Sequence, residues 1–383
     1  MGNDIRFSCS LCGKQYPVET LEFRCGCGGP FELSWHPEPF STFSLQERGT
    51  SIWRYRESIP IMDGKNIVSL GEGFTPLIPF PYAGFERLHL KLDYLCPTGS
   101  YKDRGTTVLI SKLKELGITS CIADSSGNAG ASIAAYTARA GIECKIYCPA
   151  YTSEGKLVQI KAYGARLIKV PGTRADTAAA VQGEAKRVYY ASHNWNPFFS
   201  EGIKTLAFEI CEQMAWKTPD AVLCPAGYSG IYIGLYQGFK ELADQGKIDR
   251  IPRLIGVQSE AVSPVYQAFH RKSGEMEEVP SGTTLAEGIA CVRPVRGKKI
   301  LEIARLTDGC FEVVSENEII EGWKDLARQG IYVEPTSAVV MKALDRLSGK
   351  GLLNSQDSIV LILTGIGLKA TDTLAKYVRT GEE

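Results

Sequence analysis

Histidine is scarce in this 383-residue chain. There are four, His36, His89, His193 and His270, and no two stand at the H-x-x-x-H spacing, which argues against a histidine-built catalytic metal centre. No G-x-S-x-G elbow is present, which weakens a serine-hydrolase reading. The G-x-G-x-x-G fingerprint of dinucleotide folds is missing too, so a nicotinamide dehydrogenase is disfavoured. Net charge is absent, with 43 basic residues against 43 acidic ones. Nucleic acid and anionic membrane are therefore not expected as main partners, because each calls for a basic excess. Nor is there a long apolar run. The best, Ile359 to Leu368, is far shorter than the roughly eighteen residues of a membrane span and holds Thr364 and two glycines. The start, MGNDIRFSCS, is polar, so no secretion signal is expected and the predicted location is the cytoplasm.

What is present points to an enzyme-sized globular protein. A hydrophobic content of 44% with 22% charged residues is enough for a large core. At roughly 150 residues per domain the length suggests two or three domains. Of twelve cysteines, eight are scattered through apolar segments such as ECKIYCP and AVLCPAG, where a thiol behaves as a small buried hydrophobe. The other four crowd together as Cys9-x-x-Cys12-Gly and Cys25-x-Cys27-Gly-Gly. Paired thiolates on glycine turns read as a zinc knuckle, since thiolates suit tetrahedral zinc. The second pair is one residue tighter than C-x-x-C, and a ribbon that keeps the turns without metal is the alternative.

From about residue 88 to 370 the chain alternates apolar runs with helical patterns. Strands are expected at 88–93, 120–124, 143–149, 166–170, 188–192, 221–226, 253–259 and 358–364. Helices are expected in TTVLISKLKELG, NAGASIAAYTARAG, EGKLVQIKAYG, RADTAAAVQGEAK and IYIGLYQGFKELADQG. Continuous rather than alternating apolar strands predict parallel sheets buried on both faces, an α/β architecture. Ligands in such folds sit at the carboxyl ends of strands, where helices begin.

Three of these junctions carry unusual residues. Pro97–Gly105 places Lys102 on a Gly/Ser-rich turn opening a helix, where backbone N–H groups favour a neutral amine able to form a Schiff base. Asp124–Gly130 offers two hydroxyls and several N–H groups at a helix start, a cradle for a carboxylate or phosphate, or simply a cap with close packing on Gly130. Pro225–Ile231 is a glycine-framed turn entering a helix, suited to the phosphate of a small cofactor.

Taken together, the segments LGEGFTPL (70–77), PTGSYKDRG (97–105), SSGNAG (125–130), EGKLVQIKAYGA (154–165), NPFFSEGIKTLAFEI (196–210), PAGYSGIYIGLYQGF (225–239), EPTSA (334–338) and LTGIGLK (363–369) resemble, in order, the threonine synthase branch of the fold type II pyridoxal-phosphate enzymes. The resemblance spans nearly the whole chain, and a Cys-rich start is common in that branch. It implies two three-layer α/β/α domains with the cofactor in the cleft, preceded by a zinc-ribbon-like segment at 1–35. Residues 36–383 would form the catalytic core, with a smaller α/β subdomain at about 96–205. Lys102 would carry pyridoxal 5'-phosphate, Asn128 would bond its phenolic oxygen, and Gly227, Tyr228, Ser229, Gly230 and Ile231 would hold its phosphate. Thr364 would face its pyridine nitrogen. Ser125, Ser126, Gly127 and Ala129 would receive the substrate α-carboxylate beside Asn128. A homodimer is implied by the same resemblance, and Cys9, Cys12, Cys25 and Cys27 remain the expected zinc ligands.

The pattern departs from the branch where substrate is chosen. The usual N-S-x-N-P-x-R-x-x-G places His193 and Asn194 at its first two positions and Phe199 at its arginine. Tyr228 and Ile231 likewise replace asparagines of the family's loop. An arginine clamp on a phosphate is lost with Phe199. The expected activity is elimination and replacement at Cβ or Cγ of an amino acid, in its named form O-phosphohomoserine and water to threonine and phosphate. A cysteate synthase-like replacement on O-phosphoserine, or a deamination of serine or threonine, is the alternative. A catalytically silent amino-acid-binding relative is a third reading, opposed by the retained Lys102, Asn128 and Thr364.

Overall fold

A computed structural model of the chain describes residues 5–228 and 230–378. The chain divides into two compact units, one running to Phe74 and adding Cys96–Thr98 and Lys102–Thr205, the other made of Thr75–Leu95, Gly99–Tyr101 and the chain from Leu206 onward.

The first unit holds two sheets. An antiparallel ribbon pairs Arg6–Cys9 with Gln15–Pro17 on one side and Phe31–Ser34 on the other. Phe7 and Phe31 stack across this ribbon at 5.2 Å. The second sheet is parallel, in the order Arg166–Val170, Glu143–Pro149, Ser120–Asp124, Tyr189–Tyr190. Helices Asn128–Ala140 and Arg174–Glu184 follow strands of this sheet, as crossovers between parallel strands require. Thr173 caps the second of these in a reciprocal bond pair with Asp176, satisfying donors that the helix start leaves open.

The second unit is built on six strands in the order Cys310–Val314, Arg253–Ser259, Ala221–Pro225, Ile359–Leu363, Leu88–Leu92, Leu77–Pro79. All pairs are parallel except the last. Ala221–Pro225 and Ile359–Leu363 are buried at every position, as continuous apolar runs predict for central strands. Each fully buried aliphatic side chain there contributes about 1.5–3 kcal/mol of hydrophobic stabilisation. The one buried cation on the strand Leu88–Leu92, Lys91, meets Glu209 at 2.8 Å, Gln213 at 2.8 Å and the Thr75 carbonyl at 2.6 Å, which leaves no donor of its ammonium unpaired.

All eight predicted strands form, although 188–192 contracts to Tyr189–Tyr190. Cys310–Val314 was not expected as a strand. Its sequence CFEVV places a glutamate among apolar residues, and the fold buries Glu312 by pairing it with Lys350. No helix among the described residues is long and apolar enough to cross a membrane.

Candidate active site

Lys102 opens the helix Lys102–Glu115 in the first unit. The buried carboxylate of Asp103 pins this start by accepting from the Thr98 N–H and hydroxyl, both at 2.7 Å, and from the Ser132 hydroxyl at 2.6 Å. Ser132 lies on Asn128–Ala140, so the helices that begin with Lys102 and Asn128 are tied together near their first turns. Gly105 permits a further close approach. A Cβ there would lie 2.6 Å from the Phe199 ring, whose centroid is 5.9 Å from Lys102 Nζ. His193 stands edge-on to the same ring at 5.9 Å.

Thus the position where the resemblance would place an arginine is a buried aromatic against the lysine. His193 brings no charge in its stead. Burial, with the nearby Lys102 and Arg174 charges, holds its imidazole well below the usual titration range, so it is neutral at pH 7. Asn194 donates its N–H to Ser192 Oγ at 3.4 Å, and Asn196 caps Pro197–Ile203 by accepting the Phe198 N–H.

The serine turn follows the strand Ser120–Asp124. Ser125 Oγ accepts the Gly127 N–H at 3.2 Å, and Gly127 is the N-cap of Asn128–Ala140. Ser125, Ser126 and Asn128 are half-buried, Gly127 is exposed, and Ala129 is buried. The N–H groups of the first helical turn and two hydroxyls share one short segment, the kind of donor set that suits a carboxylate. The turn rests on Asp124, whose carboxyl is raised to about 6 by burial against the opposing effect of the Tyr190 hydroxyl bonded to it.

In the second unit, Gly227, Tyr228 and Ile231 lie after the strand Ala221–Pro225, and Thr364 follows its neighbour Ile359–Leu363, so the sheet places both at one end. Ser229 lies outside the described residues. A Cβ on Gly227 would lie 2.6 Å from the Ile289 Cα, so only glycine fits this turn. Beyond it begins the fifteen-residue helix Gly230–Asp244, and a Cβ on Gly230 would meet nothing within 4 Å. A tight turn with open space at a helix start is the form of a phosphate cradle.

Thr364 is buried. Ser337 Oγ accepts the N–H groups of Thr364 and Gly365 at 3.0 and 2.9 Å and lies 3.0 Å from Thr364 Oγ1. The segment Gly99–Tyr101 runs along these residues, with the Tyr101 N–H on the Thr364 carbonyl at 3.0 Å and the Ile366 N–H on the Gly99 carbonyl at 3.0 Å. Lys102 is the next residue in the chain. Ser337 belongs to the EPTSA segment but had no role in the sequence reading, since nothing local marks a serine as the partner of a residue 27 positions away.

A primary amine, a phosphate cradle and a neutral hydroxyl donor match the aldehyde, phosphate and ring nitrogen of pyridoxal phosphate. On the ribbon, the sulfurs of Cys9, Cys12, Cys25 and Cys27 lie within 4.8 Å of one another, with three pairs at 3.5 to 3.6 Å. A Zn–S length of about 2.3 Å gives sulfur spacings of about 3.8 Å in a tetrahedron, so the set fits zinc. Within the cluster the Cys27 N–H and the Tyr16 hydroxyl hold the Cys25 thiol below its ordinary value, while the neighbouring sulfurs push Cys27 up.

The profile of the family described as pyridoxal-phosphate dependent enzyme matches residues 68–365. A threonine synthase of Methanocaldococcus jannaschii is 38% identical over 98% of this chain and 95% of its own length. One from Methanosarcina acetivorans is 32% identical over 96% of this chain and 92% of its own. Maize serine racemase shares the fold, with a TM-score of 0.69 at 20% identity over 86% of this chain and 98% of that one. With the family profile covering most of its length, this chain belongs to the pyridoxal-phosphate dependent enzymes.

Proposed function

We propose that the chain is a threonine synthase, converting O-phosphohomoserine and water to threonine and phosphate. The observation that carries this reading is the 38% identity to a threonine synthase that extends over 98% of the chain, ribbon included. Lys102, Asn128, Gly227 to Ile231 and Thr364 are the residues we assign to the cofactor, on the resemblance to the family. When bound, the cofactor supplies an electron sink for the charge left at Cα as a proton departs.

The chain's own residues supply the rest. Ser125, Ser126, Gly127 and Ala129, beside Asn128, receive the α-carboxylate and so orient the Cα–H bond. His193 and Asn194 border the distal end of the substrate. The Lys102 amine takes the Cα proton, a role for a base held at a pinned helix start. The Thr364 hydroxyl, a neutral donor and not an acid, would hold the ring nitrogen without protonating it, which would favour elimination over transamination.

The buried Phe199 beside Lys102 favours a second reading, deamination of serine or threonine, in which no phosphate need be held. Purified enzyme given O-phosphohomoserine, serine and threonine in turn decides between them. Threonine and inorganic phosphate in equal amounts support the first reading. Oxo-acid and ammonia from serine or threonine, with O-phosphohomoserine inert, replace it with the second.

We further propose that Cys9, Cys12, Cys25 and Cys27 hold one zinc ion, on the support of their sulfur spacing, and that the enzyme works in the cytoplasm as a homodimer, the dimer on the resemblance alone. Metal content per chain checks the first and sedimentation the dimer.

A further inference from the structure

An aromatic residue two positions before each cysteine pair packs on the segment 190–199, which carries Phe199. Phe7, two residues before Cys9, is buried and meets Phe198 edge-on at 5.7 Å. Phe198 is the neighbour of Phe199 on the helix Pro197–Ile203. Trp35, just beyond the ribbon's last strand, donates Nε1–H to Glu201 at 3.2 Å and carries the Lys204 ammonium 4.9 Å from its ring. Glu201 and Lys204 close this contact with a buried ion pair at 2.6 Å.

The other turn reaches the opposite end of the same segment. Phe23, two residues before Cys25, meets Tyr190 and Trp195 edge-on, each at 5.4 Å. The Arg24 guanidinium lies 5.8 Å from the Trp195 ring. Tyr190 bonds Asp124, which precedes Ser125, and Trp195 follows His193 and Asn194. Phe7 and Phe23 therefore pack on the two ends of residues 190–199, and Tyr190 links that segment to Asp124 below the serine turn.

We infer that the four-thiol knuckle, acting through Phe23 and Phe7, is a positioning element for amino-acid binding, so that metal at the knuckle sets substrate affinity while leaving the cofactor in place. A ribbon of this size has too little core to hold two turns in register unaided, and a shared metal fixes one relative to the other. Asp103, bonded by Thr98 and Ser132, fixes the helix start that bears Lys102, so a shift of residues 190–199 is expected to leave cofactor attachment in place. The inference rests on the reading of Ser125–Ala129 as the carboxylate site.

The test titrates L-serine and L-threonine into cofactor-loaded enzyme, following the visible cofactor absorption, for wild type, Phe23→Ala, Phe23→Tyr and wild type stripped of metal by chelation. Cofactor affinity and bound metal are measured on each. Phe23→Ala and the stripped protein are expected to lose about tenfold in amino-acid affinity, the scale of one or two aromatic contacts, with cofactor affinity within twofold of wild type. Phe23→Tyr restores it. Amino-acid affinity unmoved by either change, or cofactor lost in step with it, overturns the inference, as does a wild-type protein without bound metal. Because serine and threonine are the probes, failure of O-phosphohomoserine to react bears on the threonine synthase reading alone.

Discussion

Ser337 sets the direction of the Thr364 hydroxyl. Its oxygen accepts two backbone N–H groups, so its lone pairs are taken and its one proton is left to donate. Thr364 Oγ1 at 3.0 Å is a better acceptor position than the Gly365 carbonyl at 3.3 Å. With Ser337 donating to it, Thr364 would keep its own proton for the ring nitrogen we assign to it.

Replacing Ser337 with alanine tests this arrangement. Two buried N–H groups lose their acceptor, each at a cost of about 1–3 kcal/mol of stability. Thermal unfolding is expected to fall accordingly. Cofactor affinity falls as well, because Thr364 is no longer held as a donor, while Thr364→Ser keeps most of it. Equal cofactor binding in Ser337→Ala and wild type would contradict the assigned polarity.

Gly227→Ala brings a methyl group to 2.6 Å from the Ile289 Cα, a backbone atom that cannot turn aside. Overpacking of this kind costs about 1–3 kcal/mol. The loop shift it forces should weaken cofactor binding by at least about tenfold, whereas Tyr228→Phe, which leaves the backbone path alone, should not. Equilibrium dialysis with pyridoxal phosphate reads both.

Lys102→Ala is expected to bind the cofactor without forming a bond that borohydride can fix, and to lose about a thousandfold or more in turnover. Peptide mapping after reduction of the wild type should find the label on Lys102. A label on another lysine would displace it from the role.

Asp124 makes stability depend on pH. Its carboxyl titrates at about 6 in the fold, against about 4 in an unfolded chain, so the folded state binds this proton more tightly. Its favourable contribution is complete below pH 4 and disappears as pH rises through 6, a swing of at most about 3 kcal/mol. Asp124→Asn, which still accepts from Tyr190, should therefore gain stability relative to wild type between pH 4 and 8. Melting curves at those two values decide it, and a difference that does not change with pH refutes the assignment.

Much of this was legible locally. The runs AVLCPA and SIVLILT announce central parallel strands because burial on both faces demands unbroken apolar sequence. The glycine turns at Lys102, Ser125 and Gly227 mark helix starts at strand ends. The cysteine spacing brought four sulfurs together as expected. Strand Cys310–Val314 escaped notice, since its buried glutamate depends on Lys350, 38 residues away.

The sequence by itself determined the α/β class, the position of Lys102 at a helix start and the thiol knuckle, because strand burial, helix capping and short cysteine spacings act over a few residues. Tertiary structure alone decided which proton Thr364 offers, that Phe199 lies against Lys102, that His193 is neutral and that Phe23 braces the segment bearing it. Each of these depends on which side chains meet across long stretches of chain, and on how much water that meeting excludes.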